Sequence, residues 1–106
     1  MQRTTEATIT ELLAILDVLG NVRARKMFGE YALYCDEKVV ALVCRDELFV
    51  KSTEQGRVFA PDLELAPAYP GAKPGLHVSR SKWSDLGWLA KLIQTTANAL
   101  PVKAKK

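Results

Sequence analysis

Apolar residues near both ends of the chain recur at the spacing of an amphipathic helix. Across residues 5–19 they occupy positions i, i+3, i+4 and i+7, which places them on one stripe of a helix. Gly20 follows this stretch, and glycine tolerates the left-handed backbone conformation that ends many helices. Residues 85–99 show the same spacing, with Ser84 as the expected N-cap. The pattern predicts a helix at each end of the chain.

Residues 22–51 change to short apolar runs separated by polar turns, which is typical of strands. The turns at residues 36–38 and 45–47 are too short for the helical crossover that parallel strands need, so these strands are predicted to be antiparallel. A short helix is expected over residues 53–59. The prolines that follow it restrict the chain to loops and edge strands until the last strand begins.

The resulting order is helix, three or four strands, helix, one or two strands, helix. This order predicts an α+β fold of two layers, with an antiparallel meander sheet and flanking helices. We expect residues 1–102 to form a single domain, because a chain of 106 residues has room for one core. Residues 103–106 are expected to form a basic, flexible tail.

The run at residues 39–44 is apolar at every position, whereas a strand with one face in water alternates apolar and polar residues. One face can cover the core beneath a helix, and the other needs a second helix or a second copy of the chain. We therefore predict a homodimer. By simple alternation the six residues divide into two sets that face opposite sides: Val39, Ala41 and Val43, and Val40, Leu42 and Cys44.

The net charge of +3 does not by itself predict nucleic-acid binding. Three lysines in the last four residues account for the excess, and without them 12 basic residues balance 12 acidic ones. A domain that neutralises many phosphates needs a basic face. The cluster of Arg23, Arg25 and Lys26 is typical of a blunted strand edge, although weak direct nucleic-acid binding through this cluster and the lysine tail stays an alternative.

The sequence has no run of 18 apolar residues, so no membrane span is expected. Acidic residues precede the first apolar stretch, unlike the positive charge that begins a signal peptide. Cys35 and Cys44 are expected to be reduced, buried thiols. These features together predict a cytoplasmic location.

The residue chemistry predicts no catalytic residue, metal or cofactor. His77 is the only histidine, and no serine lies in a nucleophile elbow. The two cysteines lack the paired spacing of a zinc site, and the hairpin register keeps them too far apart for a disulfide. The loop at residues 69–75 contains glycines and a lysine without the ending of a phosphate-binding loop. This loop is the candidate location for a further alternative function, a small-ligand site or the active site of an enzyme of unknown class.

The most distinctive stretch is residues 25–34, RKMFGEYALY, which gathers large side chains around one glycine next to two basic residues. A structural explanation is that the glycine turns the chain and the aromatic side chains fill the core. The alternative is a contact surface, because aromatic and basic residues are enriched at binding hot spots. The candidate binding residues are Arg25, Lys26, Met27, Phe28, Gly29, Tyr31 and Tyr34.

Residues 25–51, RKMFGEYALYCDEKVVALVCRDELFVK, resemble the N-terminal domain of the TfoX/Sxy family of bacterial competence regulators. The hallmark of that family is an Arg-x-Met-Phe-Gly-Gly-Tyr-Gly-Leu-Tyr run, in which Glu30 and Ala32 replace the second and third glycines here. The family also has a strand that ends in an aromatic, an aliphatic residue and lysine. Lys51 matches that lysine and joins the candidate binding residues.

The resemblance implies a two-layer domain with an antiparallel sheet and a non-enzymatic role. Full-length family members assist a cyclic-AMP receptor protein at a subset of promoters and carry a second, helical domain. Because a single domain is predicted for residues 1–102 here, we expect a stand-alone relative rather than a complete competence activator. The predicted function is a regulatory or adaptor domain that acts through protein–protein contacts. The predicted partner is another protein, with a transcription regulator as the candidate.

Overall fold

The computed structural model describes residues 6–27 and 30–100 and shows an antiparallel six-stranded sheet with three α-helices. This architecture confirms the predicted α+β class. The sheet order is β1-β2-β3-β4-β6-β5, so the first four strands form the predicted meander. Short 3-10 helices occupy Asp17–Leu19 and Arg80–Ser84. The main elements in chain order are α1 (Glu6–Leu16), β1 (Val22–Met27), β2 (Glu30–Cys35), β3 (Lys38–Cys44), β4 (Glu47–Val50), α2 (Glu54–Phe59), β5 (Leu65–Pro67), β6 (Pro74–Val78) and α3 (Leu86–Ala99).

The helix ends follow their local chemistry, with one correction. Gly20 has a φ of 75°, and its N–H donates to the carbonyl of Asp17 at 3.0 Å, as expected for a left-handed stop. The predicted N-cap Ser84 is wrong, because that residue belongs to the 3-10 helix that precedes α3. Asp85 caps α3 instead, and its carboxylate accepts from the N–H of Trp88 at 3.2 Å.

The main core lies between one face of the sheet and the helices. α1 and α3 supply fully buried leucines, and the sheet supplies the inward residues of β2, β3, β4 and β6. Trp83 fills the space beneath the 3-10 helix, where it is 1% exposed and its indole N–H donates to the carbonyl of Val78. Within the described residues, no helix is long and apolar enough to cross a membrane.

The opposite face of the sheet is also apolar, and we call it the open face. Opposed pairs share a face of the sheet, and Leu42 on β3 lies opposite Phe49 on β4. A second, smaller cluster of buried residues forms here from Cys44, Phe49 and Ala68. Ala68 belongs to the loop between β5 and β6, so part of the cover over the open face comes from that loop.

A bulge in β3 changes which residues reach the open face. The register between β2 and β3 shifts after Leu33, so that Ala41 lies opposite Leu33 while Val39 lies opposite Tyr34. The extra residue, Val40, is fully buried in the main core. The predicted alternation of β3 is therefore wrong at Val39 and Val40, because strict alternation assumes an unbroken register.

Two tight hairpin turns connect β2 to β3 and β3 to β4 with non-glycine residues at positive φ. The φ values are 54° and 65° at Asp36 and Glu37. Such conformations cost about 1–2 kcal/mol per residue. Side-chain contacts hold this turn in place: Asn21 and Gln94 donate to the carboxylate of Asp36, and Arg23 pairs with Glu37 at 2.8 Å.

The second turn has φ values of 53° and 63° at Arg45 and Asp46. It is tied to α1 through the Thr8 hydroxyl, which donates to the Asp46 carboxylate at 2.8 Å. It is tied to the β5–β6 loop through the Arg45 guanidinium, which donates to the carbonyl of Ala68 at 3.2 Å. The turn at this end of β3 therefore joins the helical layer to the loop on the open face.

We predict that Gly75→Ala destabilises the protein by about 1–3 kcal/mol. A Cβ at Gly75 would lie 2.8 Å from the backbone carbonyl oxygen of Val50, so β4 and β6 would have to move apart. Gly87→Ala is the matched control, because a Cβ there meets nothing within 4 Å on the exposed first turn of α3. It should stabilise by about 0.5–1 kcal/mol. Urea denaturation measures both, and equal effects of the two substitutions would contradict the prediction.

Candidate functional site

Two pockets lie side by side on the open face. One, the Met27 pocket, has a volume of about 430 Å³. The other, the lysine groove, has a volume of about 630 Å³ and includes Lys51 and Lys73 in its wall. Both pockets are lined by Leu42 from β3 and Tyr69 from the β5–β6 loop. The two pockets therefore share a wall and form one interrupted depression.

The floor of the lysine groove is apolar and belongs to the sheet. Val39 and Leu42 on β3 and Phe49 on β4 line it, and the bulge is what places Val39 there. Residues 72–75 lie along one side, as part of the segment that enters β6. Leu100, immediately after α3, lines the groove from the helical side.

The position of Leu100 is fixed by a lysine at the start of β3. The ammonium group of Lys38 donates to the carbonyls of Ala97 at 2.8 Å and Leu100 at 3.1 Å. These carbonyls lie at the C-terminal end of α3, so a cation at this point interacts favourably with the helix dipole. The contact holds the end of α3 against the sheet beside the groove.

The Met27 pocket has one acidic residue in an otherwise mostly apolar wall. Met27 is 39% exposed and Tyr69 is 51% exposed, so large apolar surface lies at its rim. Cys44 lies at its base and is 2% exposed. The carboxylate of Glu30 accepts from the backbone N–H of Arg45 at 3.1 Å.

The predicted binding residues are divided between the two faces of the sheet. Arg25 lies opposite Ala32 on the open face and is exposed. Lys26 and Tyr31 lie opposite each other on the helical side, where Lys26 is exposed and Tyr31 is buried in the main core while also bordering the Met27 pocket. Phe28 and Gly29 lie outside the described residues.

The remaining predicted residues, Met27, Lys51 and Tyr34, lie on the open face in different surroundings. Met27 lines its own pocket and Lys51 lines the lysine groove. Tyr34 is half-buried beneath the guanidinium of Arg23, whose carbon lies 4.4 Å from the ring centroid. The structure therefore brings Met27 and Lys51 to neighbouring pockets and leaves Tyr34 engaged in an internal contact.

Four residues that line these pockets are not among the candidate binding residues predicted from the sequence: Leu42, Phe49, Tyr69 and Lys73. The two-sided apolar pattern of β3 was the signal for Leu42. Phe49 gave no such signal, because a strand of four residues fits a buried and a lining role equally well. Tyr69 and Lys73 fall in the loop considered for a small ligand, but only the fold shows that this loop crosses the open face.

The basic cluster does not form one cationic surface. Arg23 is paired with Glu37, and this hydrogen bond holds the pKa of the Glu37 carboxyl below its usual range. Arg25 and Lys26 are neighbours on an edge strand, so their side chains point to opposite faces. This arrangement gives the nucleic-acid alternative no specific support.

His77, Glu47 and Cys44 lie on the open face of three neighbouring strands. The Nε2 atom of His77 is 2.8 Å from a carboxylate oxygen of Glu47, and the imidazole stacks on Phe49 with ring centroids 5.1 Å apart. Cys44 lies opposite Glu47 in the β3–β4 register. The three residue types could in principle serve nucleophilic chemistry, so the state of the thiol decides what they can do.

Both thiols are in environments that oppose ionisation. Burial raises the pKa of Cys44 to about 11, with a further rise from the charge of Glu30. Burial likewise raises the pKa of Cys35 to about 11. A nucleophilic cysteine needs a lowered pKa, so these thiols are of the inert, structural kind. Within the described residues, no group of three or more histidine, cysteine or acidic side chains could hold a metal ion.

We predict slow alkylation of both cysteines by iodoacetamide in the native protein. At pH 8 a thiol with a pKa of about 11 has so little thiolate that it should react on the order of a hundredfold more slowly than free cysteine. The rate should rise as the pH approaches 11, and denaturation should release two normally reactive thiols. Mass spectrometry measures the rates, and one rapidly modified cysteine in the native protein would contradict this assignment.

Comparison with known proteins gives the chain a family. A family model described as the TfoX N-terminal domain matches residues 14–100, which include every residue of the two pockets. The chain is also 42% identical over 80 residues to a protein of Spirochaeta aurantia, described as an uncharacterized 12.7 kDa protein in the trpE 5′ region. That alignment covers 76% of this chain and 69% of the relative. The chain therefore belongs to the TfoX N-terminal domain family.

Proposed function

We propose that this chain is a non-enzymatic regulatory domain that acts in the cytoplasm by contacting another protein through the open face of its sheet. Membership of the TfoX N-terminal domain family, which is not a known enzyme family, supports the regulatory role. The observation that carries the proposal is the exposure of two large apolar side chains, Met27 and Tyr69, at the rim of one apolar pocket.

The Met27 pocket has the properties of a protein-docking site. Exposed apolar side chains around a concave apolar surface mark interaction sites more often than isolated exposed residues do. A pocket of this kind suits one large side chain of a partner as an anchor. Arg25 lies two residues before Met27 on the same face, so it adds a cation at the rim. The family resemblance makes a transcription regulator the partner to test first.

The chemistry of the open face supports docking over turnover. The Cys44 thiol has a raised pKa, which is the opposite of an activated nucleophile. His77 is engaged by Glu47 and Phe49. We therefore assign the contact between His77 and Glu47 to the structure of the sheet, where it links β6 to β4.

We predict that a photo-crosslinking amino acid at position 27 captures a transcription regulator in cells, whereas one at position 58 does not. Val58 is the matched control, because it is a 76% exposed apolar residue on α2, in the helical layer. Mass spectrometry identifies the captured protein. The purified pair then allows a binding measurement, in which Met27→Asp should weaken affinity about tenfold or more and Val58→Asp should not.

Two results would oppose this proposal. One is capture of the same proteins at positions 27 and 58, which would indicate contact without a defined surface. The other is unchanged affinity of the captured regulator for Met27→Asp. Circular dichroism and thermal unfolding of each variant separate a lost contact from a lost fold.

A second copy of the chain is the other candidate occupant of the open face. The sheet edges are poor sites for self-association, because β1 exposes Arg23, Arg25 and Lys26, and β5 contains Pro67, which has no N–H to donate. We predict that wild-type protein shows a concentration-dependent rise in mass by sedimentation equilibrium and that Tyr69→Asp suppresses it. A monomer mass at every concentration would end the homodimer prediction and leave the face to a different protein.

A further inference from the structure

The lysine groove has an uncompensated positive charge beside an apolar floor. Lys51 and Lys73 are both exposed and line the groove, and none of its lining residues is acidic. Neither lysine has an ion-pair partner within residues 6–27 and 30–100. The floor and end wall are formed by apolar side chains that include Val39, Leu42, Phe49 and Leu100.

We propose that the lysine groove is a binding site for a small anionic amphiphile, a carboxylate attached to an aliphatic body. The carboxylate lies between Lys51 and Lys73, and the aliphatic body lies on Leu42 and Phe49. Charge complementarity selects the anion, and the apolar floor selects the body. Ligand sites in proteins combine these same features, a mostly apolar lining with a few placed polar groups.

The volume of the groove favours a small molecule over a helix of a partner. Small-molecule pockets usually measure about 300–1,000 Å³, and this one measures about 630 Å³. A helix with its side chains is about 10 Å wide, so the same volume would hold a cylinder only about 8 Å long, or about five residues. A helix could therefore lie across the groove but could not enter it over a useful length.

The neighbouring pocket determines the orientation of the bound ligand. Beyond the shared wall of Leu42 and Tyr69, the Met27 pocket offers a further 430 Å³ of mostly apolar space, with Glu30 as its acidic lining residue. The lysines attract an anion at the groove end, whereas the lining of the Met27 pocket is mostly apolar and suits the aliphatic tail. A single-chain carboxylate therefore binds with its charged group at the lysines and its tail toward Leu42.

The test is a titration of the purified protein with decanoate, monitored by isothermal titration calorimetry. We expect saturable binding of one decanoate per chain and no binding of decyltrimethylammonium, which carries the opposite charge on the same tail. Affinity should rise about fourfold for each methylene added from octanoate to decanoate, as for burial of the tail in an apolar environment. No binding of decanoate by the folded wild-type protein would overturn the proposal.

Variants separate a built site from general adsorption of an amphiphile. Replacing both Lys51 and Lys73 by glutamine should weaken decanoate binding about tenfold, as expected for loss of two solvent-exposed charge contacts. Lys91→Gln is the matched control, because that lysine is exposed on α3 in the helical layer. Equal affinity in the double variant and the control would overturn the proposal.

A third variant tests shape independently of charge. Ala72 lines the groove from the loop side and is half-buried, so Ala72→Phe should fill the groove and abolish binding. Its thermal unfolding should stay close to that of the wild type, because the substitution lies in a loop outside the main core. Retained decanoate binding by this variant would place the ligand elsewhere. These experiments need no partner protein, so their outcome is separate from that of the proposed regulatory contact.

Discussion

The attachment of α1 and α3 to one face of the sheet is the constraint on which the other features depend. The buried leucines of both helices and the indole of Trp83 cover the apolar residues of that face. No comparable layer covers the other face within the described residues, although β3 is apolar on both sides. Burial of apolar surface is favourable on either face of the sheet, so binding of another molecule to the uncovered face would also be favourable. Both pockets lie on that surface.

Side-chain contacts between layers hold the geometry of this surface. The two hairpin turns at the ends of β3 adopt left-handed conformations without glycine, and contacts with α1, α3 and the β5–β6 loop stabilise them. Lys38 fixes the end of α3 beside the groove. The shape of the open face is therefore coupled to the packing of the opposite face, and Tyr31 contributes to both, because it lies in the main core and lines the Met27 pocket.

The position of Tyr69 joins the two pockets in one system. Its ring lines both, is 51% exposed and belongs to a loop that the Arg45 contact with Ala68 anchors at one point. An occupant of either pocket would contact this ring and Leu42. A regulatory contact at Met27 and a ligand at the lysines would thus meet at the same two side chains, which is the physical basis on which one could influence the other.

Local patterns in the sequence determined the elements and the class of the fold. Helical spacing predicted α1 and α3, short apolar runs separated by short polar turns predicted the antiparallel meander, and the two-sided pattern of β3 indicated a second apolar face. The RKMFGEYALY run was sufficient to indicate the family. What the sequence could not determine depended on register and on contacts between distant segments. The bulge that moves Val39 to the open face and Val40 to the core arises from pairing with β2, and no local pattern encodes it. The tertiary structure alone decided that Lys51 and Lys73 border one groove, because 21 residues of loop, helix and strand lie between them and only the antiparallel return of β6 brings them together.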